Sequence, residues 1–351
     1  MPERAYVDAL LADIEHDLDF IYGRSIQSIF IGGGTPSLLS ADAYQRLLQG
    51  LSNKLDFIDD IEITLEANPG SSEYEKFSDF NSLGINRLSI GIQSFNDQHL
   101  SKIGRIHDRK AAIRAVEAAH YAGFKNFNID LMFGLPEQQS RHAMADLADA
   151  FALEPAHLSW YQLTLEPNTL FHQQPPILPT DDYIWQIQQQ GRTLLQDNGY
   201  QQYEISAWSR GQTCRHNLNY WQFGDYLAIG AGAHAKISDP DLEHIVRRQR
   251  LRSPKDYMHN AHSSEVISNT RELDQHDLVI EYMMNVLRLN QGVSIQEFNA
   301  RTGLELQSIS PLLQQAIDRK MICDDPERIQ ATPHGLLYLN DLLGIFMQSP
   351  D

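Results

Sequence analysis

The feature that most constrains this chain is a repeated pairing of short strand-like runs with helical runs. In the strand-like runs one face stays polar. The pattern predicts strands over Ser28–Ile31, Ile61–Ala67, Arg87–Ser94, Asn126–Phe133, Leu158–Leu165 and Tyr200–Trp208. Helical patterns such as 41–51 and 109–122 fall between them, the second capped by Asp108 and closed by Gly123. Strand, helix, strand at these intervals specifies a parallel sheet of βα units. Parallel strands covered on both faces read as nearly continuous apolar runs. Here Ile61, Ile63 and Leu65 oppose Glu62, Thr64 and Glu66, while Leu88, Ile90 and Ile92 oppose Ser89, Gly91 and Gln93. Asn128, Asp130 and Met132 share a face, as do Trp160, Gln162, Thr164 and Glu166, and Gln202, Glu204, Ser206 and Trp208. An eight-stranded barrel fills its lumen with branched aliphatic side chains. The expectation is therefore a wider or incomplete barrel whose wet, polar interior receives a sizeable polar ligand.

The flanks differ. Residues 3–22 predict an amphipathic helix with Tyr6, Leu10, Ile14, Leu18 and Ile21 on one face. Residues 236–275 read as an irregular connection. Helices over about 277–289, 294–301 and 306–320, a hairpin-like piece at 321–331 and a last helix from Pro333 outline a winged helix. The expected division is a barrel over 1–235, a connection over 236–275 and a winged-helix-like domain over 276–351. From Gln291 onward four basic residues face eight acidic ones. The whole chain carries a net charge of -18, the wrong sign for neutralising phosphates, so no nucleic-acid partner is expected. A docking or lid role suits the tail better. No signal-peptide pattern opens the chain and no apolar run is long enough to span a bilayer, which leaves a cytoplasmic address as the expectation.

Four constellations bear on chemistry. Gly32-Gly33-Gly34-Thr35-Pro36, in "FIGGGTPSLL", ends a strand and precedes a helix. It is either a tight βα turn or a place where main chain meets a ligand, since glycine tolerates positive φ and close approach. It matches neither the Walker loop nor GxGxxG. Glu66, Gln93 and Asp130 stand near the carboxyl ends of successive strands, where α/β sites assemble. Arg105, in "KIGRIH", is placed to reach the same mouth and pair with a carboxylate. "CRHNLNYW", residues 214–221, offers His216 as an iron or metal ligand beside Tyr220 and Trp221, or as a loop histidine bonded to a neighbouring asparagine. "RRQRLR", residues 247–252, is either a solvated face or a set of partners for carboxylates such as haem propionates.

Together "FIGGGTPSLL", "EITLEANPG", "GINRLSIGIQSF", "IGRIHD" and "FNIDLMFGLPEQ" resemble the oxygen-independent coproporphyrinogen oxidase branch of the radical S-adenosylmethionine (SAM) proteins. "LSWYQLTLEPNT" and "CRHNLNYW" resemble its HemW subgroup, the haem chaperones, whose HNxxYW motif the oxidases lack. The resemblance runs over nearly the whole chain. It implies an incomplete (β/α)6 barrel, here expected without its first strand, and a small winged-helix-like tail. It also implies a SAM site at Gly33, Gly34, Thr35, Glu66, Gln93, Arg105 and Asp130, and haem contact at His216. The implied partners are haem or porphyrin and an acceptor protein, a peripheral membrane protein among the candidates. The alternative activity is radical decarboxylation of coproporphyrinogen III in a full-length form.

One departure stands out. The family holds a 4Fe–4S cluster with a CxxxCxxC motif, whereas residues 1–351 contain only Cys214 and Cys323. Cluster ligation needs several converging thiolates. The resemblance therefore implies a chain that, at this length, assembles no cluster and does not cleave SAM. A start assigned too far downstream, a shortened chain or a natural cluster-free relative would each account for it.

Overall fold

The computed structural model describes residues 2–70, 75–167 and 169–347. They fall into two compact units. One comprises residues 28–44 and 61–213, the other residues 1–27, 45–60 and 214–351.

The first unit is built on a seven-stranded sheet. Its strands are β1 (Ile26–Ile31), β2 (Phe57–Ala67), β3 (Arg87–Gln93), β4 (Asn126–Phe133), β5 (His157–Gln162), β6 (Gln201–Gln202) and β7 (Ala207–Ser209), in the order β1-β2-β3-β4-β5-β7-β6. β2 through β5 are parallel, in a register that aligns Glu66 with Ser89, Ser89 with Asn128, and Asn128 with His157. The polar face expected from the alternation is thus stacked rung on rung across β2, β3 and β4. In β5 it is the other face, with His157, Ser159 and Tyr161 in line with Asn128, Asp130 and Met132. Trp160, expected on the polar face, stands beside Leu131 and packs on Phe133. The opposite face is apolar: Leu65, Leu88, Ile90, Ile129, Leu131 and Leu158 are fully buried. Helices Arg109–Tyr121 and Ser140–Ala152 contribute Ala112, Ala115, Val116, Ala119, Ala143, Leu147 and Ala150, also buried. As read, Asp108 caps the first of these helices by accepting from Ala111 N–H.

The run expected as a sixth strand is instead a tight hairpin. β7 pairs antiparallel with β5 and β6 pairs antiparallel with β7. The turn is held by polar side chains that take backbone partners: Gln202 donates to Ile205 C=O and Glu204 accepts from Ser206 N–H. Alternation alone looks the same for one strand and for two short ones folded back.

In the second unit the expected N-terminal helix is α-helical over Glu3–Asp13 and continues as a 3-10 helix over Ile14–Phe20. Residues 236–275, expected as irregular, are largely ordered. β8 (His234–Ser238), β9 (Ile245–Arg250) and β10 (Ile267–Glu272) form an antiparallel sheet in the order β10-β9-β8, and a helix, Pro254–Asn260, lies between the last two. The pattern hid them because two of the buried positions are charged. Lys236 is paired with Asp225, and Arg250 with Asp13 and Asp17. Arg248 also meets Asp17, and Arg247 meets Glu281. Neither a solvated face nor a propionate clamp describes the arginine run; these three are internal ion-pair partners.

The C-terminal part of this unit follows the expected outline. Helices Gln275–Val286, Ile295–Thr302 and Ser310–Asp318 enclose Tyr282, Phe298, Ile309, Ile329, Leu342 and Phe346. A reciprocal capping box between Ser294 and Glu297 starts the second helix and left-handed Gly303 ends it. β11 (Val293–Ser294) and β12 (Arg328–Ile329) make the small wing. The last helix is divided at Tyr338 into Pro333–Leu337 and Leu339–Phe346.

Candidate functional site

The site in the first unit starts from the glycine loop after β1. Gly33 and Gly34 take φ values of +83° and +64°, which side chains rarely adopt. A Cβ on Gly32 would stand 2.7 Å from Phe30 and 2.9 Å from the Glu66 carboxyl. Bare main chain is therefore what lets Glu66, near the end of β2, accept a hydrogen bond from Gly33 N–H at 3.0 Å. Thr35 follows in the same loop, ahead of a short 3-10 turn at Pro36–Leu38.

Gln93 ends β3 with a φ of +70°, and the β3–β4 register shifts between Ile90 and Gln93. A left-handed non-glycine residue costs about 1–3 kcal/mol, and such strain gathers at functional sites. The bulge turns the Gln93 side chain to where Tyr161, from β5, donates to its Oε1 at 2.8 Å. Arg105 donates to Asn68 Oδ1 at 3.3 Å, just beyond β2.

Asp130 is supported from below. Asn128 Nδ2 donates to its Oδ1 at 2.7 Å, and Ser89 donates at 3.4 Å to Oδ2. Asn128 Oδ1 accepts from Ser159 at 3.1 Å and lies 2.8 Å from His157 Nδ1. Because that oxygen only accepts, His157 carries its proton on Nδ1, and its Nε2 takes the Tyr203 hydroxyl at 2.7 Å. Burial, with Arg87 nearby, holds His157 well below the ordinary histidine range, so the imidazole is neutral.

The electrostatics tie the upper residues together. Burial raises Glu66, the Gly33 N–H opposes that rise and Asp130 adds to it. Burial also raises Asp130, against the bonds from Asn128, Ser159 and Ser89 and the charge of Arg87. The Tyr161 phenol, raised chiefly by burial, lies in the fields of Asp130, Arg105 and Glu66. Glu66, Gln93, Arg105 and Asp130 thus all act on the Tyr161 phenol, and Glu66 also meets the glycine loop. Two carboxylates, a guanidinium, an amide and open main chain suit a ligand that bears a cationic centre, a carboxylate and several hydroxyls.

Sequence reasoning missed Tyr161, His157 and Tyr203 as members of this network. The signal was the register. Placing Asn128 beside His157 across β4 and β5 puts the imidazole on the polar face, but register follows from pairing and not from alternation.

His216 lies in the other unit, on the short helix Arg215–Trp221. Residues 216 and 220 are one turn apart and share a face, on which Tyr220 is 36% exposed. Leu218 and Trp221 pack against the C-terminal core. Asn219 donates to Asp225 C=O at 2.9 Å, and a Cβ on Gly224 would come within 2.1 Å of Asn219 Oδ1. Tyr220 meets Trp221 edge-on at 5.0 Å and Tyr226 at 5.2 Å, while Arg288 stacks 4.3 Å from the Trp221 ring. Half of the motif anchors the helix, and half-buried His216 shares its remaining face with exposed Tyr220.

The residues present do not fit an iron–sulfur cluster. Residues 1–351 hold two cysteines, Cys214 and Cys323, fewer than the three thiolates such a site needs. Among the described residues no group of three or more His, Cys, Asp or Glu side chains is placed to hold a metal ion. Nor is any described helix long and apolar enough to cross a membrane.

Comparison with known proteins gives a consistent picture. Residues 2–149 match the radical SAM superfamily and residues 273–338 match the HemN C-terminal domain. The chain is 46% identical over 348 residues to "Heme chaperone HemW" of Escherichia coli, covering 99% of this chain and 91% of that protein. It is 47% identical over 352 residues to the protein of that name from Haemophilus influenzae, covering 99% and 91%. The relative in Bacillus subtilis is 31% identical over 354 residues, covering 99% and 92%. Among solved structures, coproporphyrinogen III oxidase (HemN) from Escherichia coli, a radical SAM enzyme, superposes with a TM-score of 0.80 at 23% identity. It covers 99% of this chain and 83% of its own. That likeness carries the fold.

Proposed function

Because the chain belongs to the HemW family of haem chaperones within the radical SAM superfamily, we propose that it binds haem and delivers it to an acceptor protein. The observation that carries this reading is the 215–221 helix, which puts half-buried His216 and exposed Tyr220 one turn apart on one face. His216 supplies an imidazole as an axial ligand to haem iron. Tyr220, backed by Trp221 and Tyr226, supplies an aromatic wall for the macrocycle. The anchoring of Leu218, Asn219 and Trp221 fixes the helix that carries His216, so less ordering entropy is lost on binding.

The first unit is proposed as a SAM site. Glu66 would meet the ammonium group of the methionine end beside the open backbone of Gly33, Gly34 and Thr35. Arg105 would meet its carboxylate, and Gln93 and Asp130 the ribose hydroxyls. Bound there, SAM would supply a cationic sulfonium and a polar nucleoside beside two half-buried carboxylates. Glu66 and Asp130, each raised by burial, are poised to gain from a cation between them. The proposed address is the cytoplasm. The acceptor is a haem-dependent protein, with a membrane-associated one included.

The test is transfer. Protein loaded with haem and separated from the excess is mixed with apomyoglobin as a generic acceptor. A chaperone transfers haem at a rate set by its own dissociation, and His216→Ala, lacking the axial imidazole, loads less haem and releases what it holds faster. Failure of the parent to take up haem would overturn the reading. Anaerobic decarboxylation of coproporphyrinogen III would replace it with an oxidase.

A further inference from the structure

We infer that Tyr161 is a positioning residue for the cradle in the first unit: its hydroxyl fixes the side-chain amide of Gln93 so that the amide nitrogen, a donor, faces the ligand. The inference rests on the proposed SAM site. Tyr161 stands opposite Met132 in the register, so its side chain reaches past β4 to the end of β3. There the hydroxyl donates to Gln93 Oε1 at 2.8 Å. The nitrogen of the same amide lies on the lumen side of β3, because a Cβ on Gly91 would stand 3.1 Å from Gln93 Nε2. The same point is 3.5 Å from Asn68 Oδ1, the atom that Arg105 holds.

An amide alone can present either end to a ligand, and the two ends ask for opposite chemistry. A phenol that keeps its proton settles the choice. Burial, the leading cause, raises the Tyr161 hydroxyl above its ordinary range, and the carboxylates of Asp130 and Glu66 add to that. Tyr161 therefore remains a donor across the working pH range, Gln93 Oε1 is consumed as its acceptor, and Nε2 is what the lumen meets. The cradle then selects a ligand with an acceptor oxygen at that point, such as a ribose hydroxyl. Gln93 is only 4% exposed and held at positive φ, so the amide has little room to find another partner.

Calorimetric titration of SAM into the purified protein tests this, with thermal midpoints recorded for each variant. Tyr161→Phe is expected to weaken binding about tenfold. Gln93→Ala should weaken it at least as much, and the double variant no more than Gln93→Ala alone, because Tyr161 acts only through Gln93. Gln93→Glu, which puts an acceptor where the nitrogen stood, should bind as poorly as Gln93→Ala with Tyr161 still present. Losses that add in the double variant would mean that Tyr161 touches the ligand itself, and would overturn the inference. So would parent-like binding by Tyr161→Phe or by Gln93→Glu. A parent protein that does not bind SAM would overturn the assignment of the cradle, and the role of Tyr161 with it. A parent that binds beside an unaffected Tyr161→Phe overturns the role alone.

Discussion

The Gly33 N–H donates to the Glu66 carboxylate at 3.0 Å, and the neighbouring glycine, Gly32, has no room for a methyl group because Phe30 and that same carboxyl fill the space. A glycine loop and a strand-end acid sit 33 residues apart in sequence and make one contact surface.

Gly32→Ala should therefore disturb the cradle without unfolding the sheet. The added Cβ must push the Glu66 carboxyl or the Phe30 ring aside. SAM affinity is expected to fall about tenfold, about 1.4 kcal/mol, as the Glu66 contact is displaced. Calorimetric titration of the variant checks it; unchanged affinity would show that Glu66 is not held by the loop.

Arg250 is the buried partner of Asp13 and Asp17, and Tyr257 and Gly230 N–H also meet Asp13. Arg250→Leu leaves buried Asp13 without its cation and Asp17 with Arg248 alone. The expected loss is about 3–5 kcal/mol of unfolding free energy. Arg248→Ala should cost less, because Asp17 then keeps Arg250. Urea unfolding followed by circular dichroism ranks the two; equal and small losses would contradict the network.

Asp146, on helix Ser140–Ala152, accepts from Phe95 N–H at 2.7 Å and from Ser94 at 2.8 Å. Burial pushes its carboxyl up to about 7, against these two bonds. A raised carboxyl binds its proton more tightly when folded, so the folded state holds more protons between the ordinary carboxylate range and about 7. Its contribution to stability is full below the unfolded value and is lost as pH rises through that window. Asp146→Asn, whose amide can accept from Phe95 and donate to Ser94, should flatten the fall. Thermal midpoints between pH 4 and 8 read it, and a parallel pH profile for parent and variant would contradict it.

The legible parts of the molecule share a physical cause. Period-2 polarity exposed the polar face of β2 through β4, because Glu66, Ser89, Asn128 and Asp130 stand on one side of strands whose other side is core. It chose the wrong face of β5, where Trp160 is core and Tyr161 is not. The crowding of functional residue types around His216 marks that segment in the sequence, and the structure folds it as the helix Arg215–Trp221. Charged core positions were not legible. Lys236, Arg250, Asp13 and Asp17 are buried in ion pairs, which cancels the hydrophobic signal on which strand recognition rests. The Gln93 bulge was equally hidden, since a glutamine at positive φ leaves no mark in composition, and the hairpin at 201–209 mimics a continuous strand.

Haem recognition through His216 is the central claim, and titration with haemin followed at the Soret band tests it most directly. The parent should give a saturable band shifted from free haemin, and His216→Ala should lose that shift while keeping its thermal midpoint. Superimposable spectra from the two proteins, or a parent that never shifts the band, would contradict it.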